Sequence, residues 1–278
     1  MYVSILVAIY KDIEALALII DALREQTYKK FEVIIAEDND SEEVKKYLAS
    51  VDVFFPVKHY FHPDNGLQKA IARNASIRMS EGDYLIFIDG DTIPYSTFIE
   101  SHVTLAEPKK VLCGRRVNLE DMMSNTLRRR EIRSIDLESI WRYLPQLIQD
   151  KTRHIEQGLR FKPNGMIQQF LAGHDKNIHM VGSNFSCHKT DIMNINGCDE
   201  SMQDGPGVDD TDLEWRFIAA GVTMKSCKYY ANLFHLNHSR NDRQDIYDKN
   251  VAYMREKRQR GEIICPNGII KHERAETL

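Results

Sequence analysis

Residues 83–91 read DYLIFIDGD. The stretch YLIFI (84–88) is apolar at every position and ends at two carboxylates, Asp89 and Asp91, on either side of one glycine. A run with no polar alternation belongs to a strand buried on both faces, as in a parallel sheet covered by helices above and below. Working outward, YVSILVAIY (2–10) and FEVIIAED (31–38) are runs of the same kind, and VKHYFHP (57–63) is a shorter strand. Between them lie three helical patterns, DIEALALIIDALREQT (12–27), SEEVKKYLAS (41–50) and GLQKAIARNASIRM (66–79). The second opens with a serine and carboxylates, as a capped first turn does. Strand and helix in strict alternation predict a doubly wound α/β sheet.

The 278 residues suffice for one elaborated domain or two small ones, and 42% hydrophobic with 28% charged residues is a globular composition. No apolar run approaches the roughly 20 residues of a membrane helix. The opening MYVSILVAIYKD reads as a buried strand, with no basic segment before it to make a signal peptide. The five cysteines are scattered and never CxxC, which predicts free thiols and a cytoplasmic setting. A net charge of −4 argues against nucleic acid as a partner. The run LRRREIR (127–133) is either a solvated helix face or a contact to an anionic surface.

Beyond residue 95 the alternation loosens. IDLESIWRYLPQLIQDKTRHIEQGL (135–159) predicts an amphipathic helix interrupted near Pro145, suited to packing on the sheet or to touching a membrane, and FKPNGMIQQFLAGHDKN (161–177) reads as a loop. Order returns at HMVGSNFSCHK (179–189), followed by a Gly-rich DGPG (204–207), a helix VDDTDLEWRFIAAG (208–221) and a strand TMKSCKYYANLFHL (223–236). Trp215 in that helix is expected in the core, whereas Trp141 fits either a sugar face or packing.

Ligands of open parallel sheets bind beyond the C-terminal ends of the strands. Two strands end in acid there, at Glu37, Asp38 and Asp40, and at Asp89 and Asp91. Two carboxylates around one glycine repel each other unless a cation sits by them, and a hard divalent ion shared with substrate phosphates suits the place. Asp-Gly is equally ordinary turn chemistry. The late stretch HLNHSRND (235–242) offers His235 and His238, three apart, as ligands or as plain loop histidines.

In order and spacing, the opening strand ending VAIYKD, REQTYKKFEVIIAEDND and DNGLQKAIARNASIRMSEGDYLIFIDGD resemble the family 2 glycosyltransferases of the GT-A fold, over residues 1 to about 95. Residues 179–242, with VGSNFSCHKTDIMNINGCDESMQDGPGVDDTDLEWRF and HLNHSRND, resemble the C-terminal catalytic portion of β-1,4-galactosyltransferases and bacterial capsule polymerase domains. This sequence has Asp209 where that group usually has Glu, and QDGPG where a GWGG loop is common.

The resemblance implies a GT-A sheet with a nucleotide-sugar half (1–115), an insertion (116–178), an acceptor-binding and catalytic half (179–245) and a helical tail (246–278). It implies that Ala8, Tyr10, Asp38, Arg73, Asn74, Asp89, Gly90, Gly182, Ser183 and Asn184 line the nucleotide-sugar site. By the same carry-over Asp91, His238 and His235 hold a metal, Asp209 orients the acceptor and Asp210 is the base. A mixed Asp, His and diphosphate shell suits Mn²⁺, with Mg²⁺ as substitute. The function implied is inverting transfer of galactose or N-acetylgalactosamine from a UDP-sugar to a cell-surface glycan or lipid-linked oligosaccharide, with peripheral contact at the inner face of a membrane. A nucleotidyltransferase would share the acidic pair and metal, but the glycine-free AIYKDIEALA lacks its phosphate loop. A non-catalytic nucleotide-sugar-binding module would leave Asp210 and His238 without a role.

Overall fold

The computed structural model describes residues 1–161, 178–202, 208–239 and 244–271. The central sheet is built from β1 (Val3–Ile9), β2 (Phe31–Glu37), β3 (Val57–Phe61), β4 (Tyr84–Asp89), β6 (Lys110–Cys113), β8 (Asn184–His188) and β9 (Thr223–Ser226), in the order β3-β2-β1-β4-β8-β6-β9. The first four run parallel, and β8 enters antiparallel between β4 and β6. The sheet is therefore mixed, as the GT-A resemblance implies.

Side-chain alternation explains why these strands read as unbroken apolar runs. Val3, Ile5, Val7 and Ile9 of β1 enter the core on one face, with Leu16, Ile19, Ile20 and Leu23 of α1 (Ile13–Arg24). Leu6 points to the opposite face with Leu85, Phe87 and Phe185, over which lie α3 (Lys69–Met79), α8 (Lys189–Asn194) and α9 (Val208–Ala219). Each large apolar side chain so buried contributes roughly 1.5–3 kcal/mol. Phe87 and Phe185 stack at 4.3 Å across the β4–β8 pair, fastening the late strand to the early ones. The helices start where the sequence caps them: the Asp12 carboxylate accepts from the Ala15 N–H at 2.9 Å, and Ser41 from Val44 at the head of α2 (Glu42–Ser50).

A second sheet of three strands, β5 (Thr92–Pro94), β10 (Leu233–His235) and β7 (Val117–Asn118) in the order β5-β10-β7, continues from the end of β4. It shares a third core with the outer face of α1 and with α5 (Asp121–Arg128), α6 (Ser134–Leu137) and α7 (Ile140–Gln149), after which a 3-10 turn spans Ile155–Gly158. The remaining helices are α4 (Phe98–Leu105) and the C-terminal α10 (Gln244–Arg260).

Three local expectations are corrected. Pro145 does not interrupt its helix: α7 runs through it, and the break falls earlier, at residues 138–139. The carbonyl that Pro145 leaves without a donor belongs to Trp141, a residue on the exposed side of the helix. The segment 223–236 is two strands in different sheets, because a turn with Tyr229 at φ 69° carries the chain from β9 to β10. Trp215 is half-buried under the Arg258 guanidinium instead of lying in the core, and Trp141 is 73% exposed.

The arginines of 127–133 are mostly answered by the protein's own acids: Arg128 pairs with Asp12 and Glu14, Arg130 with Asp21, and Arg133 with Asp136. All five cysteines are free and buried. No helix among the described residues is long and apolar enough to cross a membrane. The predicted loop 161–177, apart from Phe161, and the DGPG segment lie outside the described residues.

Candidate active site

The site forms where β1 and β4 end side by side. Ala8 is in register with Asp89, and the Gly90 N–H donates to the Ala8 carbonyl at 2.6 Å. A Cβ on Gly90 would stand 2.9 Å from that carbonyl oxygen, so only glycine lets the chain turn here. The turn delivers Asp91 to the start of β5. β10 then pairs antiparallel with β5, His235 opposite Thr92, and the Leu236 N–H donates to the Asp91 carbonyl at 2.9 Å.

This pairing carries the late histidines to the early carboxylate. His235 Nε2 and His238 Nε2 lie 3.4 and 3.2 Å from Asp91 Oδ2, and one donor atom from each of the three residues falls within 4.8 Å of the others. Burial opposes ionisation of Asp91, but the two imidazoles outweigh it and hold the carboxyl well below the ordinary aspartate range. Asp91 Oδ1 is buried with no hydrogen-bond partner. One carboxylate, two imidazoles and an orphaned oxygen fit a divalent ion with coordination positions left for substrate oxygens.

Asp89 belongs to a different cluster. Its Oδ1 is 2.8 Å from Lys69 Nζ and 3.2 Å from Arg73 Nη2. Arg73, 3% exposed, also reaches Asp209 at 3.2 Å, Asp210 at 3.5 Å and the Gly182 carbonyl at 2.9 Å. Burial raises the Asp89 pKa, and the charges of Lys69 and Arg73 overturn that and keep it ionised. Burial likewise disfavours charge on Arg73, yet Asp89, Asp210 and Asp209 together hold it firmly protonated. Lys69 and Arg73 share one face of α3 at i, i+4 spacing. Asp89, Asp209 and Asp210 thus face two permanent cations, while Asp91 stands apart with the two histidines.

Asp209 and Asp210 occupy the first turn of α9, where the helix dipole favours negative charge. The Gly182 N–H donates to Asp210 Oδ2 at 2.8 Å, and a side chain at residue 182 would collide with that carboxylate. Helix α9 is pinned from behind by a buried network: Lys257 Nζ of α10 meets Asp199 at 2.5 Å and Asp212 at 2.9 Å, and Arg216 Nε meets Asp212 at 2.8 Å.

The other expected site residues divide. Asp38 Oδ2 accepts from the Gln68 N–H at 2.5 Å, and His62 Nε2 stands 3.0 Å from its Oδ1. Beside them a cavity of about 190 Å³ is lined by Asn65, Gly66, Leu67, Gln68, Ala70, Ile71 and Met202. Tyr10, half-buried, has its hydroxyl 3.5 Å from Asp64. Ser183 accepts from Arg116 at 3.0 Å. Asn74 is turned away: its side chain bonds Cys198 and Glu200 and ties α3 to the chain before α9. The Asn184 side-chain NH2 donates to the carbonyls of Arg115 and Ala231. Lys69, Lys257 and Arg116 escaped the sequence reading. Only Lys69 left a signal, its helical spacing from Arg73.

The family model described as "Glycosyl transferase family 2" matches residues 4–173. Hyaluronan synthase of Pasteurella multocida is 23% identical over 112 residues, 37% of this chain and 12% of the synthase. Among solved structures, S. aureus TarS 1-349 in complex with UDP superposes with a TM-score of 0.58 at 13% identity, covering 91% of this chain and 64% of that one. The mannosyltransferase PcManGT from Pyrobaculum calidifontis, in complex with GDP-Man and Mn²⁺, gives 0.57 at 13% identity, covering 93% and 64%. This chain spans less than two thirds of each of these proteins.

Proposed function

The chain belongs to glycosyl transferase family 2, and from that premise we propose that it is an inverting, divalent-metal-dependent enzyme that moves a sugar from a UDP-sugar to an acceptor hydroxyl. The observation that carries the reading is the meeting of two clusters across β4: the triad Asp91, His235 and His238 on one side, and Asp210, held by Gly182, on the other.

Asp38 accepts the N3 proton of uracil at the end of β2, beside the cavity over Gln68. Asp91, His235 and His238 hold Mn²⁺, or Mg²⁺ in its place. The ion, when bound, neutralises the diphosphate and stabilises it as leaving group. Asp210 takes the proton of the acceptor hydroxyl as its oxygen attacks the anomeric carbon. The bond from that carbon to the diphosphate oxygen breaks on the opposite face, and UDP departs with the electron pair. Asp209 orients the acceptor, while Arg73 helps keep Asp89 ionised and bridges it to Asp209 and Asp210.

Galactose or N-acetylgalactosamine is the proposed donor sugar, on the likeness of residues 179–242 to β-1,4-galactosyltransferases. The acceptor is a cell-surface glycan or a lipid-linked oligosaccharide, reached from the cytoplasm by peripheral contact with the membrane. The halves 1–115 and 179–245 divide donor and acceptor binding, with 116–178 inserted between them and 246–278 as tail. Screening UDP-sugars for metal-dependent hydrolysis tests the reading: turnover of one sugar that stops with chelator supports it, and no turnover of any with Mn²⁺ present contradicts it.

A further inference from the structure

Lys69 and Arg73 are committed to Asp89, Asp209 and Asp210, but Arg116 is not. Half-buried, it donates from Nη1 to the Ser183 hydroxyl at 3.0 Å, and it forms no ion pair among the described residues. It stands immediately before β7 of the small sheet. β7 and β10 run parallel with Val117 opposite Phe234 and Asn118 opposite His235. Opposed residues share a face and successive ones alternate. Val117 and Phe234 enter the third core, so His235 and Asn118 face the other way, toward Asp91. Arg116, immediately before β7, reaches across to Ser183.

Its far end is held beside Gly182, the residue that grips Asp210. Its backbone is braced as well: the Gly114 N–H donates to the Asn184 carbonyl at 2.9 Å, and the Asn184 amide donates to the Arg115 carbonyl at 2.8 Å. A side chain at Gly114 would run into that amide. In β7, Asn118 Oδ1 is buried without a hydrogen-bond partner among the described residues. The result is a braced guanidinium beside the segment that holds Asp210, with one donor on a serine and the rest of its fork unclaimed by any carboxylate among the described residues.

We propose that Arg116 binds an oxyanion of the donor substrate, either a phosphoryl oxygen of its diphosphate or an acid group on the transferred sugar. A guanidinium fork recognises both alike. The inference rests on the reading that the donor is a nucleotide sugar. The test is calorimetric titration of the full chain and of Arg116→Met and Arg116→Lys with UDP, UDP-glucose and UDP-glucuronate, all with Mn²⁺.

Arg116→Met is expected to weaken binding at least about ten-fold at an unchanged melting temperature, with partial recovery in Arg116→Lys. Loss shared by all three ligands assigns the diphosphate, and loss confined to UDP-glucuronate assigns the acid group. If Arg116→Met melts early, Arg116→Gln, which keeps a donor for Ser183 without the charge, takes its place. Unchanged affinities for all three ligands in a folded variant overturn this inference alone. A parent chain that binds none of them overturns the donor reading and this inference with it.

Discussion

Asp91 and His238 come from opposite ends of the chain and stand 3.2 Å apart, joined only because β10 pairs with β5. The divalent ion proposed for this site would draw Asp91, His235 and His238 from that junction. Asp91→Asn, His235→Ala and His238→Ala are each expected to weaken Mn²⁺-dependent UDP binding by at least ~10-fold. Titration with and without chelator checks it, and a metal effect unchanged in all three variants removes the triad from the account.

Arg73 separates three carboxylates that would otherwise repel one another. Arg73→Met is expected to cost about 3 kcal/mol of unfolding free energy, toward the low end for a broken buried ion pair because each acid keeps about a fifth of its side chain exposed. Urea denaturation measures it. Arg73→Lys should recover part of the loss, since one ammonium replaces the charge but not the fork.

Gly182 holds Asp210 with its N–H and leaves no room for a methyl group. Gly182→Ala should therefore displace the carboxylate and lower kcat by about ten-fold or more, since a misplaced reacting group is costly. UDP affinity should stay near that of the parent. A variant with parental kcat would show that the contact does not position the base.

His102 gives the fold an acid sensitivity. Burial pushes its pKa down from 6.5 to about 3, with only Asn184 acting weakly the other way, while Nδ1 meets Ser186 Oγ at 2.8 Å. The unfolded chain takes up this proton near pH 6.5 and the folded chain only near pH 3, so the stability is complete above pH 6.5 and is lost as pH falls through that window. The slope from this group approaches about 1.4 kcal/mol per pH unit. Denaturation across pH 4–7 should show a shallower slope in His102→Gln.

The parallel strands were legible because burial on both faces leaves short apolar runs such as YLIFI, too short for a buried helix and regularly spaced between helical patterns. Asp89 and Asp91 were legible as a pair, but not their division of labour: one turn at Gly90 sends Asp89 to Lys69 and Arg73, and Asp91 to the histidines. The single strand expected over 223–236 failed because the aromatic pair Tyr229 and Tyr230, which reads as strand, sits in the turn itself. Asn74 and Asn184 sat within motifs that resemble a site, yet their amides close backbone gaps, which one-dimensional spacing does not reveal. Lys257 was invisible for a related reason, since the last helix of a chain reads as a solvated charge run until its one buried lysine is seen between Asp199 and Asp212.

The proposed transfer depends most on Asp210 acting as the base. Asp210→Asn keeps the size of the side chain and an acceptor for the Gly182 N–H, but it cannot take a proton. With the donor sugar found by screening, single-turnover transfer in this variant should fall by roughly 10²–10⁴-fold while calorimetric UDP affinity stays parental. Transfer at the parental rate, in a variant that binds UDP as the parent does, would contradict the account.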